Sequence, residues 1–330
     1  MLNIAINGLG RIGRATLKIV LDNPAVRLTA VNDVLPADNL AYLLKFDTVY
    51  GRWTRDVNAR DGRLSIDGID YPVLSKREPA KLPWGQMGVD VVFECTGVFT
   101  RRDDLVKHIE AGARFVILSA PSKSDDVPTV VHAVNRSQET PAQIVSCASC
   151  TTNCITPVVE IMGRRIGIKK ATMTTIHAYT ANQSIVDSGK KDYRRGRAGA
   201  ANLVPATTGA AIATTRALPE YKGRFDGVAV RAPVPVGSLA DIVFVTGRGT
   251  SVEEVNRVFT EEAASDRYRQ VLAVTEEPVV SSDIIRQSFA SIVDLSLTQV
   301  VDQDLVKIMS WYDNEWGYAN QMVRQALELS

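Results

Sequence analysis

The chain contains 330 residues, of which 45% are hydrophobic and 23% are charged, as in an ordinary globular protein. This length predicts two domains of roughly 150 residues each rather than a single core. The formal net charge is only +1, from 38 basic and 37 acidic residues, which argues against a nucleic-acid partner or an anionic membrane surface.

Segments with the patterns of strands and helices alternate through the first half of the chain. Residues 2–7 and 26–32 have the pattern of strands, and residues 12–21 and 39–46 have that of helices. Such alternation predicts a parallel sheet whose strands are joined by crossover helices.

The rest of the first half continues this pattern. Asp-Gly turns at 61–62 and 67–68, with short apolar stretches around them, predict a small inserted hairpin. The apolar runs at 89–93 and 114–118 predict further strands that are covered on both faces of the sheet.

The turn after the first strand carries a glycine pattern. Gly8, Gly10 and Gly13 form Gly-x-Gly-x-x-Gly at the start of the first helix. They allow a tight turn, a close approach of the backbone to a pyrophosphate, and close helix–strand packing, while the helix N-terminus supplies N–H donors. Asp33 lies about 20 residues further on, where a carboxylate bonds the ribose hydroxyls and disfavours a 2′-phosphate. The sequence therefore predicts an NAD site with only residual NADP use.

Cys150 stands where a strand-like stretch gives way to a helix-like one at 155–163. A thiol in the first turn of a helix faces unpaired N–H groups, which favours the thiolate. Free cysteines are also common buried hydrophobes, so Cys150 alone leaves both interpretations open. His177 ends the first long strand of the second half and is a candidate proton acceptor. His108, in a charged helix-like stretch, and His132, in an apolar strand-like one, favour structural roles.

The second half has longer alternating segments, at 170–179, 227–232, 241–246 and 305–311. They predict a mostly antiparallel sheet with one covered face. Ser251 and Glu254 have the spacing of a capping box at the start of a helix, and residues 318–329 form a last amphipathic segment.

The fold class follows from these patterns. We predict an α/β protein with a Rossmann-type doubly wound parallel sheet and an α+β catalytic domain whose sheet is mostly antiparallel. The expected NAD-binding domain covers residues 1–149 and is completed by a C-terminal helix at about 316–330, and the catalytic domain covers 150–315.

Two features bear on location. No apolar run approaches the about 20 residues that span a bilayer. The four cysteines, three of them between 147 and 154, do not resemble a secreted disulfide framework. We therefore expect a cytoplasmic protein with reduced thiols and no membrane partner.

Candidate anion-binding groups occur in the second half. Thr207, Thr208 and Gly209 precede a helix-like segment and offer hydroxyl and N–H groups at its start. An ordinary N-cap is the alternative interpretation. Arg195 and Arg231 could add forked guanidinium donors suited to phosphate.

Four motifs point to one family. They are Ala148-Ser149-Cys150-Thr151-Thr152-Asn153, Ile176-His177-Ala178-Tyr179-Thr180, Thr207-Thr208-Gly209-Ala210-Ala211 and Ser310-Trp311-Tyr312-Asp313-Asn314-Glu315. On these motifs, in order along essentially its whole length, the sequence resembles phosphorylating glyceraldehyde-3-phosphate dehydrogenases.

The resemblance implies a glycolytic and gluconeogenic oxidoreductase that acts through a covalent intermediate. Cys150 would attack the aldehyde of D-glyceraldehyde 3-phosphate, and His177 would take the hydroxyl proton as hydride passes to NAD. Inorganic phosphate would then release the thioester as 1,3-bisphosphoglycerate. Covalent catalysis divides one difficult step into two easier ones.

The resemblance also implies the binding residues. Besides Gly8, Gly10, Gly13 and Asp33, the cofactor would meet Arg11, Ile12, Arg77, Ser119 and Asn314. The substrate phosphate would meet Thr180 and Arg231, the attacking phosphate would meet Ser149, Thr151, Thr208 and Gly209, and Arg195 would lie between the two. No metal is implied. Residues 181–205 match a loop that reaches a neighbouring subunit, which implies a homotetramer.

Three features of the sequence depart from the family pattern. Cys147 replaces a usual Asn, and is either an inert buried thiol or a partner for oxidised Cys150. Asn182 replaces a usual Asp near the substrate phosphate, with catalysis expected to survive. Ser188-Gly189 replaces a bulkier pair and could admit a 2′-phosphate. Because Asp33 opposes that group, only residual NADP use is expected.

Other functions remain as alternatives. Erythrose-4-phosphate dehydrogenase and the semialdehyde dehydrogenases share this framework, although the Thr207–Gly209 segment favours the glyceraldehyde enzyme. A non-catalytic nucleotide- or RNA-binding regulator is an alternative of another class. The presence of both Cys150 and His177 argues against it.

Overall fold

The computed structural model of the chain describes residues 1–135 and 142–329. They form two compact units. The first unit contains residues 1–130, 142–148 and the chain from Met322 onward, and the second contains residues 131–135 and 149–321.

The first unit is built on an eight-stranded sheet. Its strands are β1 (Leu2–Asn7), β2 (Val26–Asn32), β3 (Val57–Arg60), β4 (Arg63–Ile66), β5 (Ile69–Leu74), β6 (Val91–Glu94), β7 (Phe115–Leu118) and β8 (Ile144–Ser146), and its helices are α1 (Arg11–Asp22), α2 (Ala37–Lys45) and α3 (Arg102–Glu110). The strand order is β3-β4-β5-β2-β1-β6-β7-β8. Pairing is parallel along β5-β2-β1-β6-β7-β8 and antiparallel along β3-β4-β5. This arrangement confirms the predicted parallel sheet and inserted hairpin.

The central strands of this sheet are apolar because both of their faces are covered. Ile4 and Ile6 of β1 and Val91, Val92 and Phe93 of β6 have no exposed side-chain surface. Strands of this kind read as continuous hydrophobic runs rather than alternating ones. Their carboxyl ends carry the polar residues that form the first candidate site.

The second unit is built on another eight-stranded sheet. Its strands are β9 (Ile168–Ala178), β10 (Val204–Thr207), β11 (Phe225–Ala232), β12 (Ser238–Thr246), β13 (Leu272–Thr275), β14 (Ser291–Asp294), β15 (Gln299–Val301) and β16 (Leu305–Tyr312), and its helices are α4 (Cys150–Arg165), α5 (Ala210–Ala217) and α6 (Val252–Ala264). The order is β10-β11-β9-β12-β16-β14-β13, with β15 paired to β16. Pairing is antiparallel apart from β9–β11 and β13–β14, as predicted for a mostly antiparallel sheet.

A last helix, α7 (Trp316–Leu327), follows β16. It begins in the second unit, and its residues from Met322 onward belong to the first. Within the described part of the chain, no helix is both long and apolar enough to span a bilayer.

Helix α4 is the buried helix of the second unit. Burial alternates along β12, where Ala240, Ile242 and Phe244 have no exposed surface, and Ile155 and Val158 of α4 belong to the same apolar cluster. A covered face on an otherwise half-exposed sheet is the expected antiparallel arrangement. The N-terminus of α4 is thereby held by the core of this unit.

Helix α4 begins at Cys150, ahead of the helix-like pattern at 155–163 and in agreement with the expected place of Cys150 in the first turn. Ser149 is its N-cap, and the Ser149 Oγ accepts a hydrogen bond from the Thr152 N–H at 3.2 Å. The first turn contains Thr151 and Thr152, residue types with modest helix propensity, but both are buried. Capping and packing therefore extend the helix to Cys150.

His132 lies in a turn, in contrast to the strand expected around it.

Helix α6 begins with half of the predicted capping box. The Ser251 Oγ accepts a hydrogen bond from the Glu254 N–H at 3.2 Å. The Glu254 carboxylate is directed instead to Arg248, at 2.7 Å, and to the Thr250 hydroxyl, at 2.7 Å. The cap therefore rests on the serine side chain.

Replacing Ser251 with Ala should lower the free energy of unfolding by about 1 kcal/mol, because an N–H of the first turn loses its acceptor. Ser251→Asp keeps an acceptor at the N-cap and should stay close to wild type. Urea denaturation measures both. Equal stability of the Ala and Asp variants would show that the cap contributes nothing.

Candidate active site

The three glycines of the turn between β1 and α1 meet different requirements. Gly8 has φ of +93°, and a Cβ there would lie 2.8 Å from the Thr96 backbone nitrogen. A Cβ on Gly13 would lie 1.9 Å from the Gly8 carbonyl oxygen, whereas a Cβ on Gly10 would have nothing within 4 Å. Gly8 and Gly13 are therefore required by the fold itself, and Gly10 leaves open space above the turn.

Asp33 follows β2 and closes the side of this turn. Its Oδ2 accepts the Leu9 N–H at 2.7 Å, and its Oδ1 accepts the Leu35 N–H at 3.0 Å. Gly8, Gly10, Asp33 and Arg77 line one cavity of about 400 Å³ in the first unit. The structure therefore brings these four predicted cofactor residues together.

The remaining predicted cofactor residues of the first unit lie around the turn. Arg11 and Ile12 are the first residues of α1. Arg11 forms an ion pair with Asp47 and lies over the Tyr50 ring. Ser119 follows β7, where its N–H donates to the Glu94 carbonyl oxygen at 3.0 Å.

The second unit brings Cys150 and His177 into contact. Cys150 is the first residue of α4, and His177 lies near the end of β9. The Cys150 Sγ is 3.3 Å from the His177 Nε2. His177 is buried, and its ring meets the Tyr312 ring edge-on with centroids 5.9 Å apart. A nucleophile and a base within hydrogen-bonding reach are the basic requirement of thiol catalysis.

The other ring nitrogen of His177 has two neighbours of opposite kind. Nδ1 lies 2.7 Å from the Ala178 carbonyl oxygen and 2.5 Å from the Arg231 Nη1. A carbonyl oxygen only accepts and a guanidinium only donates. With hydrogen on Nδ1, the ring donates to Ala178 and leaves Nε2 free to accept the thiol proton. With Nδ1 bare, the ring accepts from Arg231, and its Nε2–H donates to the sulfur and cannot accept the thiol proton.

The surroundings keep this pair neutral. Burial, with the charges of Arg231 and Arg195, lowers the pKa of His177 to about 3. Burial also raises the pKa of Cys150, against the opposing effects of the Arg231 charge and the Thr151 N–H. The thiolate expected from the helix N-terminus is therefore outweighed by desolvation. The site therefore holds a neutral thiol beside a neutral imidazole.

Arg231 adjoins the pair because β11 is parallel to β9 and places Arg231 beside His177 in register. Its Nη1 also donates to the Ala178 carbonyl oxygen at 3.2 Å. Its Nε is buried without a hydrogen-bond partner among the described residues. A buried donor of this kind is a candidate for a ligand oxygen.

Thr180 has a neighbour that the sequence did not single out. The Gln183 Oε1 accepts from the Thr180 N–H at 2.8 Å and from its hydroxyl at 3.2 Å. The Gln183 Nε2 is buried and lacks a partner among the described residues. Gln183 can hold Thr180 only because the chain turns after β9. A single Gln in the sequence gives no signal of this contact. Asn182 is exposed.

The predicted residues for inorganic phosphate lie at two helix starts. The Thr208 Oγ1 accepts the Ala210 N–H at 3.1 Å, and Gly209 is the N-cap of α5. No side chain caps α5 at Gly209, so the Thr208 contact is a local turn before the helix, and it leaves the threonine hydroxyl hydrogen to donate elsewhere. The Arg195 Nη2 donates to the Thr207 carbonyl oxygen at 3.1 Å, which ties Arg195 to the same segment.

The hydroxyls at the start of α4 have internal partners. The Ser149 Oγ shares a hydrogen bond with the Thr152 Oγ1 at 2.8 Å. The Thr151 Oγ1 is 2.8 Å from the Tyr312 hydroxyl, which is also 2.8 Å from the Thr175 Oγ1. Tyr312 therefore links α4 to β9 close to the cysteine.

Asn314 is held in one orientation. Its Oδ1 accepts from the Gly237 N–H at 3.2 Å and from the Ser238 hydroxyl at 3.0 Å. Ser238 in turn accepts the Ala178 N–H at 3.1 Å. The Asn314 Nδ2 is thereby left as a donor for a ligand, and its position is tied to the backbone next to His177.

Family models match both parts of the chain. A model described as the NAD binding domain of glyceraldehyde 3-phosphate dehydrogenase matches residues 2–102, and one described as the C-terminal domain of that enzyme matches residues 149–314. The glyceraldehyde-3-phosphate dehydrogenase of Streptomyces coelicolor is 45% identical over 325 residues, which cover 98% of this chain and 96% of that protein. Those of Geobacillus stearothermophilus and Bacillus subtilis (enzyme 1) are each 44% identical over 322 residues, covering 97% of this chain and 96% of each relative.

A dinucleotide cleft and a thiol–imidazole pair, with these matches, define an NAD-dependent dehydrogenase. The chain belongs to the glyceraldehyde 3-phosphate dehydrogenase family. The expected fold class, family and cofactor are therefore confirmed.

The glycines provide a matched pair of variants. Gly13→Ala places a Cβ against the Gly8 carbonyl and should lower both the melting temperature and the affinity for NAD. Gly10→Ala adds its Cβ to open space and should leave the melting temperature unchanged while weakening NAD about tenfold or more, because the backbone can no longer approach the pyrophosphate. Thermal unfolding and NAD titration test both. Unchanged NAD affinity in Gly10→Ala would contradict the assigned role of this turn.

Arg231→Leu removes a positive charge beside the imidazole. We expect the pKa of His177 to rise from about 3 towards its ordinary range, since the protonated ring is no longer repelled. An imidazole must be neutral to accept a proton, so the acid limb of the kcat/KM profile should move to higher pH. Arg267→Leu, which removes another arginine of the second unit that contacts Glu160, is the control and should leave the limb in place. An unmoved acid limb in Arg231→Leu would contradict this electrostatic coupling.

Proposed function

We propose that this chain catalyses the oxidative phosphorylation of D-glyceraldehyde 3-phosphate to 1,3-bisphosphoglycerate with reduction of NAD, as a cytoplasmic enzyme of glycolysis and gluconeogenesis. The observation that carries this proposal is the 3.3 Å contact between the Cys150 Sγ and the His177 Nε2, beside the Arg231 guanidinium and in a chain of this family. Its relatives are named for the same dehydrogenase.

Cys150 and His177 divide the chemistry between them. The sulfur forms a bond to the aldehyde carbon as its proton passes to the His177 Nε2, and His177 returns that proton to the carbonyl oxygen, which becomes the hydroxyl of a hemithioacetal. NAD, when bound, supplies the acceptor for the hydride on that carbon. His177 takes the hydroxyl proton as the hydride leaves, and a thioester remains on Cys150. Inorganic phosphate attacks the thioester carbon, the carbon–sulfur bond breaks, and the sulfur regains a proton from His177 while the phosphate proton is released to solvent.

The residues present fit the cofactor. The Gly10 side of α1 carries no side-chain cap, and a helix N-terminus that follows a glycine turn is suited to a pyrophosphate. We assign the cofactor to Gly8, Gly10, Arg11, Ile12, Gly13, Asp33, Arg77, Ser119 and Asn314. The orientation of Asn314 supports its part, because its Nδ2 is directed away from Gly237 and Ser238 and can donate to the nicotinamide carboxamide.

We assign the substrate phosphate to Thr180 and Arg231. The buried Nε of Arg231 that lacks a partner among the described residues supports this assignment, since a phosphate oxygen would satisfy it. The attacking phosphate would be bound by Ser149, Thr151, Thr208 and Gly209, with Arg195 between the two anions.

A homotetramer is part of the proposal. The segment 181–205 carries apolar side chains that a lone subunit leaves in water, with Ile185 91% and Tyr193 87% exposed. Apolar groups in one exposed segment are typical of an interface.

NAD is proposed as the preferred cofactor because Asp33 lies in the cleft with Gly8 and Gly10, where a carboxylate repels a 2′-phosphate.

Burial raises the pKa of Cys147 to about 12. An undissociated thiol is a poor nucleophile, which favours the inert interpretation of Cys147.

One assay tests the proposed function. NAD reduction with glyceraldehyde 3-phosphate should require phosphate and should be absent in Cys150→Ser, since a serine hydroxyl beside this imidazole is a far weaker nucleophile. Cys154→Ser, at a buried thiol of the same helix, is the control and should retain activity. Turnover without phosphate, or faster turnover of erythrose 4-phosphate or a semialdehyde, would favour the related dehydrogenases instead.

A further inference from the structure

A buried carboxylate in the first unit has no part in the chemistry described so far. Glu94 ends β6, and His108 lies in α3; neither has any exposed side-chain surface. The His108 Nε2 is 3.1 Å from the Glu94 Oε2. A buried carboxylate is costly unless its oxygens are fully hydrogen-bonded, so the donors around Glu94 show what holds it.

Trp84 determines which nitrogen of His108 carries the hydrogen. The Trp84 Nε1 is 3.0 Å from the His108 Nδ1. An indole N–H only donates, so Nδ1 must accept it. The hydrogen of the neutral ring is therefore on Nε2, which donates to Glu94. This arm of the network runs in one direction, from tryptophan through histidine to the carboxylate.

A second arm reaches Glu94 from the opposite side. The Asn7 Nδ2 donates to the Glu94 Oε2, and the Asn7 Oδ1 accepts from the Asn32 Nδ2 at 2.7 Å. The Asn32 Oδ1 accepts from the Lys76 backbone N–H at 2.9 Å. Since a backbone N–H cannot become an acceptor, the polarity of this arm is also fixed.

The second carboxylate oxygen completes the set. The Glu94 Oε1 accepts from the Thr96 backbone N–H at 2.8 Å and from the Thr96 hydroxyl. Donors therefore converge on Glu94 from three directions. A carboxylate is the side chain that can accept from all of them.

The ends of these arms form the cofactor cleft. Asn7, Asn32, Lys76 and Thr96 line the same cavity as Gly8 and Asp33, whereas Glu94 lies behind them. Asn7 ends β1, Asn32 ends β2, and Lys76 follows β5. One buried carboxylate thus ties together the carboxyl ends of neighbouring parallel strands, where ligands of such sheets bind.

We propose that Glu94, oriented by His108, is a positioning residue that fixes the loops of the cofactor cleft and thereby sets the affinity for NAD without touching it. This inference rests on the assignment of that cleft to NAD in the proposed function. It concerns the free energy of cofactor binding rather than the chemical steps at Cys150.

Three substitutions of similar size separate the polarity of the network from its packing. In Glu94→Gln, Oε1 must still accept from Thr96, so the new Nε2 faces the N–H groups of Asn7 and His108. Reversing Asn7 would require reversing Asn32, and the fixed Lys76 N–H prevents that. The loops must therefore shift. His108→Gln instead presents a donor to Glu94 and an acceptor to Trp84, so it keeps the polarity, whereas His108→Leu removes both groups.

The experiment is NAD titration by calorimetry on the full-length wild type, Glu94→Gln, His108→Leu and His108→Gln, with thermal unfolding and kcat at saturating NAD. Losing charge-assisted hydrogen bonds behind the cleft should raise the Kd for NAD about tenfold in Glu94→Gln and several-fold in His108→Leu. His108→Gln should restore most of the affinity lost in His108→Leu. The kcat at saturating NAD and the number of NAD sites per folded chain should stay close to wild type.

The outcomes separate the two proposals. Lowered melting temperature with an unchanged Kd in Glu94→Gln would mean a structural role only and would overturn the inference, as would equal Kd values for His108→Leu and His108→Gln. If Glu94→Gln does not fold, the two His108 variants decide the question. A wild type that does not bind NAD would defeat the proposed function itself.

Discussion

Cys150 and His177 meet because the buried helix α4 begins where strand β9 ends in the second unit. The Sγ–Nε2 distance of 3.3 Å is held by α4, which is packed into the apolar core, and by β9, the strand between β11 and β12. Tyr312 braces the two through the hydroxyls of Thr151 and Thr175. Chemistry by a thiol depends on this contact, since the pair must exchange a proton within hydrogen-bonding reach.

The electrostatics of the pair come from long-range packing. Arg231 is brought beside His177 by the parallel register of β11 and β9, and its charge lowers the pKa of the imidazole together with burial. The sequence favours a thiolate at a helix N-terminus, but burial raises the pKa of Cys150. Desolvation is a property of the assembled core, and a motif read along the chain does not contain it.

The first unit shows the same division between local pattern and assembly. The spacing of Gly8, Gly10 and Gly13 predicts a dinucleotide turn, because each glycine answers a local requirement of the backbone. The place of Asp33 is predicted by its spacing of about 20 residues from the last glycine, at the end of the second strand. Glu94, in contrast, is bound by Asn7, Thr96 and His108, and an isolated acidic residue in an apolar strand gives no sign of these partners.

The sequence by itself determined the alternation of strands and helices, the sheet class of each unit, and the residues Cys150 and His177, because these depend on periodicity and on short motifs. Only the tertiary structure decided where α4 begins, which tautomer of His108 is present, and that Gln183 and Ser238 hold Thr180 and Asn314. Hydrogen-bond partners far apart in the chain are chosen by packing, which no local pattern encodes.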